Sequence, residues 1–409
     1  MAARYIERTL ETTLGKAVRE FPAVVVTGAR QSGKTTLLKH LFAKSHRYVS
    51  LEPPDTRAAA YSDPRGFLDF HAPPVIFDEV QYASELLPYI KERIDGERGK
   101  RGQYLLTGSQ NLLMLEKVTE SLAGRAAILR LLPLTRAEEK GRPALLLPWE
   151  TGRKTGGRPF RGRDTRAFWQ SMLRGGYPEL VAGRPRDFSL WHASYIQTYL
   201  ERDVRGLRQV GDLTSFQIFL RTLAARSAQL LNMTGLAREL GIAVNTVKSW
   251  LSILEATYQV IILRPYFANI GKRLVKTPKV YFTDLGTLCY LAGIHDVRHL
   301  VSGPMAGAVF ETAAVMEIIK TIIHNGREPG VYFWRTASGV EVDIVVEHEG
   351  RLVPVEVKQS STLKPAMASG ILAFREAFRE KADKGYLVYP GAERAPLVKG
   401  VEAVPFSDL

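Results

Sequence analysis

Cysteine is almost absent from this chain: Cys289 is the single example in 409 residues. That excludes an internal disulfide framework and a cysteine-rich zinc site, and it leaves Cys289 to be read as a small buried apolar residue. No apolar run reaches membrane-spanning length. Met1 to Arg19 mixes charges with apolar residues at helical spacing and contains no signal-peptide core. Together these absences predict a cytoplasmic protein with no membrane partner. Acidic residues are in short supply, with 42 Asp and Glu against 56 Lys and Arg and a net charge of +14. Such an excess suits a polyanionic partner, nucleic acid first, although it also serves solubility. Repeats and long low-complexity tracts are missing too. A hydrophobic content of 45% with 24% charged residues describes a well-cored chain, and its length predicts roughly two to four domains.

The most informative segment is Gly28-Ala29-Arg30-Gln31-Ser32-Gly33-Lys34-Thr35, followed by Thr36. It fits GxxxxGK[ST], a loop that cradles phosphate. Val24-Val25-Val26-Thr27 before it reads as a short buried strand, and Thr35 to Phe42 reads as a helix start. Backbone N–H groups and the positive end of the helix would face phosphate oxygens. Lys34 would reach the β- and γ-phosphates, and Thr35 would hold Mg²⁺. Val75-Ile76-Phe77-Asp78-Glu79 is an apolar strand ending in two carboxylates. Asp78 would hold Mg²⁺ through its water shell, and Glu79 would orient and deprotonate the attacking water.

Strand-like runs at Ala23–Thr27, Tyr48–Leu51, Val75–Asp78 and Tyr104–Thr107 alternate with helical stretches. This predicts an α/β parallel sheet covered on both faces. The run after Tyr104–Thr107 offers Ser109 and Asn111, either of which resembles, by its place after the strand, the polar residue with which AAA+ ATPases position the lytic water. Arg125 could contact the γ-phosphate in cis, or across an interface with a second copy in a homo-oligomer; an ion-paired surface arginine is the alternative.

Several motifs carry a family resemblance. Gly28 to Thr36, Phe77-Asp78-Glu79-Val80-Gln81, Leu106-Thr107-Gly108-Ser109-Gln110 and Leu122-Ala123-Gly124-Arg125 are four of them. Gly175-Gly176-Tyr177-Pro178-Glu179 and Lys279-Val280-Tyr281-Phe282-Thr283-Asp284 are two more. In these the chain resembles prokaryotic AAA+ ATPases with a DUF4143 C-terminal region. The resemblance covers nearly the whole length and implies a cytoplasmic ATP-binding protein.

A Gly-, Pro- and Arg-rich stretch from Gly141 to Gly162 marks a boundary. The expected order is an AAA+ P-loop domain over 1–140, a linker and helical region over 141–215, a winged-helix domain over 216–300 and an α+β PD-(D/E)xK nuclease-like domain over 301–409. Thr234 to Leu254 fits a helix-turn-helix, with Thr234 and Asn245 as caps and Gly241 at the turn. Asn245, Thr246, Lys248 and Ser249 would face outward as a DNA-reading helix requires. Gln259–Leu263 and Lys279–Phe282 would form a wing with Lys272, Arg273 and Lys276 between them. Winged helices also serve as lids or packing modules, so DNA contact and packing both stand open.

Near the C-terminus, Asp343 and Glu356-x-Lys358 fit the D…ExK pattern. Residues two apart on a strand share a face, and Glu311 would join from the preceding helix. Glu311, Asp343 and Glu356 would bind Mg²⁺, and Lys358 would orient the nucleophile. Asp284 reads as a turn or cap residue and not a ligand. The expectation is a Mg²⁺-dependent, DNA-associated ATPase acting on branched or processed duplex, with C-terminal cleavage as an added activity. The alternative is a nucleotide-dependent switch or scaffold for a protein partner, with a non-catalytic nuclease-like domain.

Overall fold

The computed structural model describes residues 4–108, 121–143, 146–151, 165–183, 186–199, 204, 212–266 and 276–409. Five parallel strands open the fold: β1 (Ala23–Thr27), β2 (Arg47–Ser50), β3 (Val75–Asp78), β4 (Tyr104–Gly108) and β5 (Ala126–Arg130). Their order in the sheet is β2-β3-β4-β1-β5. Helices cover both faces, so β1 and β3 are buried throughout and are rich in branched apolar residues. Val25, Phe77 and Leu106 pack on Leu86 and Ile90 on one face; Val24, Val26 and Leu105 pack on Leu10, Leu14 and Leu37 on the other. Each such side chain contributes about 1.5–3 kcal/mol.

The parallel arrangement brings the C-terminal ends of β1, β3 and β4 to one edge, where ligands bind in such sheets. Helix α1 (Lys34–Phe42) leaves the phosphate loop there. Strand β5 is absent from the sequence reading. Its Ala126-Ala127 start has weak strand preference, and pairing with β1 recruits it.

In the middle region, α2 (Pro178–Ala182) is a short helix. The helix-turn-helix consists of α4 (Met233–Leu240) and α5 (Val244–Ala256), packed on α3 (Leu213–Ala224) through Phe216, Phe219, Leu236, Val247 and Trp250. Gly241 takes φ 65° between the two helices. Strands β6 (Val260–Leu263) and β7 (Lys279–Phe282) pair antiparallel, as the sequence expects of a wing. Two expected caps are corrected. Asn232 caps α4, accepting the Gly235 N–H at 2.8 Å, while Thr234 lies inside the first turn. Asn245 lies inside α5, which starts after an extended Ala243 that has no capping side chain. Asp284 does cap a helix, Leu285–Leu291, as expected.

The C-terminal part begins with the buried helix α6 (Ala306–His324). A sheet of six strands follows, in the order β12-β13-β11-β10-β9-β8. The strands are β8 (Val331–Arg335), β9 (Glu341–His348), β10 (Arg351–Val357), β11 (Gly385–Tyr389), β12 (Ala395–Val398) and β13 (Val401–Pro405). Helix α7 (Ser369–Ala377) covers β9 and β10. Sequence reading missed β12 and β13, where Pro396, Gly400 and Pro405 interrupt the pattern; Pro396 is tolerated on an edge strand. One continuous core runs from Leu147 to Leu409 and also takes in Ala29 and Leu132 of the first unit. Among the described residues no helix is long and apolar enough to cross a membrane, and Cys289 is buried and unpaired.

Candidate nucleotide site and acidic cluster

The phosphate loop wraps tightly against Leu131, the residue that follows β5. A Cβ on Gly28 would lie 2.0 Å from the Leu131 carbonyl oxygen, so only glycine fits there. Lys34 is buried, and its ammonium donates to the Gly28 and Ala29 carbonyls at 3.0 and 2.9 Å. The buried Ser32 hydroxyl has no hydrogen-bond partner among the described residues. An orphaned donor inside a loop of backbone amides fits a phosphate ligand.

Three hydroxyls converge on Asp78. Thr35 donates to its two oxygens at 2.9 and 3.0 Å, Tyr48 donates at 2.7 Å, and Thr107 donates to Oδ1. Burial and the Asp78 charge push the Tyr48 phenol well above its usual pKa. The Thr107 oxygen also accepts the Glu79 N–H at 3.1 Å, so one side chain ties both carboxylate residues to the end of β4. Glu79 itself takes φ 59°, and Gln81 donates to its carboxylate. Thr35 and Asp78 together offer the hard oxygen donors that suit Mg²⁺. That ion, when bound, would polarise the phosphoryl oxygens.

A cavity of about 400 Å³ runs along the loop. Arg4, Tyr5 and Arg8 line one side, and Pro178 and Glu179 of α2 line another. The buried Arg8 guanidinium donates to the Ser32 carbonyl at 2.8 Å and the Leu132 carbonyl at 2.7 Å, and pairs with Glu138 at 3.2 Å. Burial would raise the Glu138 pKa, but Arg8 and His324 outweigh it and hold the carboxyl well below the usual range. The sequence assigned no role to Tyr48, Thr107, Arg8 or Glu179. Thr107 left a signal, as a polar residue closing an apolar strand, and Glu179 closes one of the family motifs.

Arg125 requires a correction. Its carbonyl accepts the Ala23 N–H at the start of β1, so it sits at the opposite edge of the sheet from the loop. Both Asp95 oxygens hold its guanidinium, at 2.7 and 3.1 Å. It does not serve the site in cis. Ser109 and Asn111, the expected water-positioning residues, lie outside the described residues, as do Lys272 and Arg273 of the wing. Asn245, Lys248 and Lys276 are exposed; Thr246 and Ser249 are half-buried.

The C-terminal acids do gather. Register places Glu356 on β10 beside Asp343 on β9, and Glu311 approaches from α6. Each is already engaged. Lys279 of the wing strand, almost fully buried, contacts Glu311 at 2.9 Å and Glu341 at 2.5 Å. Tyr281 donates to Glu311 at 2.6 Å, Lys358 reaches Glu356 at 2.5 Å, and the Val357 N–H donates to Asp343 at 2.9 Å. One Glu356 oxygen is buried without a hydrogen bond among the described residues. Burial, then the neighbouring Asp343, pushes Glu356 up to about 8 and Glu311 up to about 7. Burial alone would lower Lys279, but Glu311, Asp343 and Glu341 outweigh it and raise it. Among the described residues no group of three acidic, His or Cys side chains is arranged to hold a metal ion.

The fold and the loop define an ATPase with an AAA domain. The model of that domain matches residues 20–139. Two domains of unknown function match the remainder, DUF8612 over 165–298 and DUF4143 over 306–409. The chain is 31% identical over 406 residues to the uncharacterised proteins Rv2008c of Mycobacterium tuberculosis and Mb2031c of Mycobacterium bovis, covering 98% of itself and 84% of each. It belongs to their family, the AAA-domain ATPases that end in DUF4143. Among solved structures, the Walker-type ATPase PABY2304 of Pyrococcus abyssi aligns at 14% identity with a TM-score of 0.40, over 69% of this chain and 94% of that one.

Proposed function

We propose that this chain is a cytoplasmic, Mg²⁺-dependent ATPase that associates with DNA. The observation that carries the ATPase reading is the contact of Thr35 with Asp78 beside a loop whose Ser32 hydroxyl lacks a partner among the described residues. In this reading Lys34 neutralises phosphate charge, Thr35 and Asp78 hold the cation, and Glu79 takes the proton of the attacking water. The net charge of +14 and the exposed Asn245 and Lys248 on α5 support DNA as the partner.

The Lys279 contacts favour a non-catalytic C-terminal domain. An internal ammonium already pairs with Glu311, one of the three acids a nuclease would set on a metal. In this reading that domain serves as a scaffold. The test measures ATP turnover, duplex binding and cleavage of linear, forked and four-way DNA together, with and without Mg²⁺. Expected are Mg²⁺-dependent turnover, duplex affinity that falls steeply between about 50 and 200 mM salt, and intact DNA. Absence of duplex affinity at about 50 mM salt contradicts DNA association, and Mg²⁺-dependent cleavage lost in Asp343→Ala contradicts the scaffold reading.

A further inference from the structure

A second cavity, of about 1320 Å³, lies across α2 from the phosphate loop. Arg166, Arg174, Arg186 and Arg298 line it, with His295 beside them. Asp296 is the one carboxylate in its lining among the described residues, and it is engaged in capping a helix through the His299 N–H at 2.8 Å. Arg174 is held by Glu139 at 2.7 Å and Arg186 by Glu179 at 2.6 Å. Arg166 and Arg298 are exposed and have no ion-pair partner among the described residues. Leu180, Phe188 and Val301 give the trough an apolar floor.

The geometry points to this trough as a binding site for a single nucleic-acid strand. Guanidinium forks match phosphate oxygens. An apolar floor suits base faces, which a strand presents and a duplex keeps stacked inside. The inference rests on the proposed DNA association and adds where the polyanion sits and in what form.

The placement has a consequence for the ATPase. Pro178, Glu179 and Ala182 of α2 line the nucleotide cavity, while Leu180 and Val181 line the trough. The helix is a shared wall, and the Glu179–Arg186 pair joins its two sides. Phosphates that draw Arg186 away loosen Glu179, so strand and nucleotide occupancy are coupled, reciprocally in their binding free energies.

The experiment uses the full chain and a fluorescein-labelled oligo-dT of twelve nucleotides, read by anisotropy across a salt series. The Arg166→Ala/Arg298→Ala variant is compared with wild type, and its melting temperature controls for folding. Expected are affinity at least about 10-fold weaker and a log–log salt slope shallower by about 1.4, for two phosphate contacts removed. Duplex binding is measured in parallel, with Lys248→Glu as a second variant. Unchanged oligo-dT affinity and slope in the double variant overturn the trough while leaving DNA association intact if Lys248→Glu weakens duplex binding. Displacement of oligo-dT by an equal concentration of oligo-glutamate assigns the trough to an acidic peptide and also overturns it. Wild-type protein without affinity for either DNA form defeats DNA association itself.

Discussion

The Tyr258 hydroxyl donates to Thr27 Oγ1 at 2.8 Å, joining the turn after the second helix of the helix-turn-helix to the last residue before the phosphate loop. Tyr258 is buried and takes φ 59°, a conformation uncommon for a bulky side chain. The backbone there is fixed by the fold around it. A change in the loop on nucleotide binding therefore has a direct route to α5.

Tyr258→Phe removes this bond and leaves the ring. The expected stability loss is about 1 kcal/mol by denaturant titration. The more specific outcome is weakened coupling: ATP affinity of the variant becomes less sensitive to saturating duplex than that of wild type. Equal sensitivity in both would show that the bond carries no signal.

Glu79→Gln keeps the shape of the site and removes the proposed base. Turnover should fall by about 10²–10⁴, while ATP affinity, measured by fluorescent analogue displacement, stays within a few-fold. A variant with wild-type turnover would move the base elsewhere.

Lys279→Met leaves Glu311 without its cation, while Glu341 keeps its ion pair with Arg335. Breaking a buried pair in this way costs about 3–5 kcal/mol, and Glu311→Gln in the same chain should recover part of it. Additive losses in the two variants would mean that Lys279 and Glu311 are not coupled.

Stability should also depend on pH through Glu317, which faces Lys320, Arg136 and Glu139 at the contact of α6 with the first unit. Burial pushes its pKa up to about 7, above the ordinary carboxyl value of 4.5. The folded state favours the proton, so the contribution of Glu317 is fully present below pH 4.5 and is lost as pH rises through about 7. Glu317→Gln should flatten the decline in melting temperature between those limits. Parallel profiles for variant and wild type would remove Glu317 as the cause.

The phosphate loop and the Asp78-Glu79 strand end were legible because local chemistry defines them: glycine positions, an apolar strand and the helix start. The helix-turn-helix was legible from Gly241 and the buried stripe of α5. What escaped was set by contacts distant in sequence. Arg125 follows a suggestive Leu-Ala-Gly run, yet the parallel pairing of β5 with β1 puts it at the end of the sheet away from the loop. Lys279 sits in an ordinary strand pattern, and only the approach of β7 to α6 and β9 makes it the partner of two acids. Arg8 reaches the nucleotide cavity from a segment with no motif of its own, and the run that ends in Glu179 gives no hint that it lies against the phosphate loop.

The central claim is that ATP is held and hydrolysed at the loop of residues 28–35. Phosphate release with Mg²⁺ and with EDTA, in wild type and Lys34→Ala side by side, tests it most directly. Mg²⁺-dependent release by wild type, lost in the variant and in EDTA, is the predicted result. Release by Lys34→Ala at the wild-type rate would contradict the account.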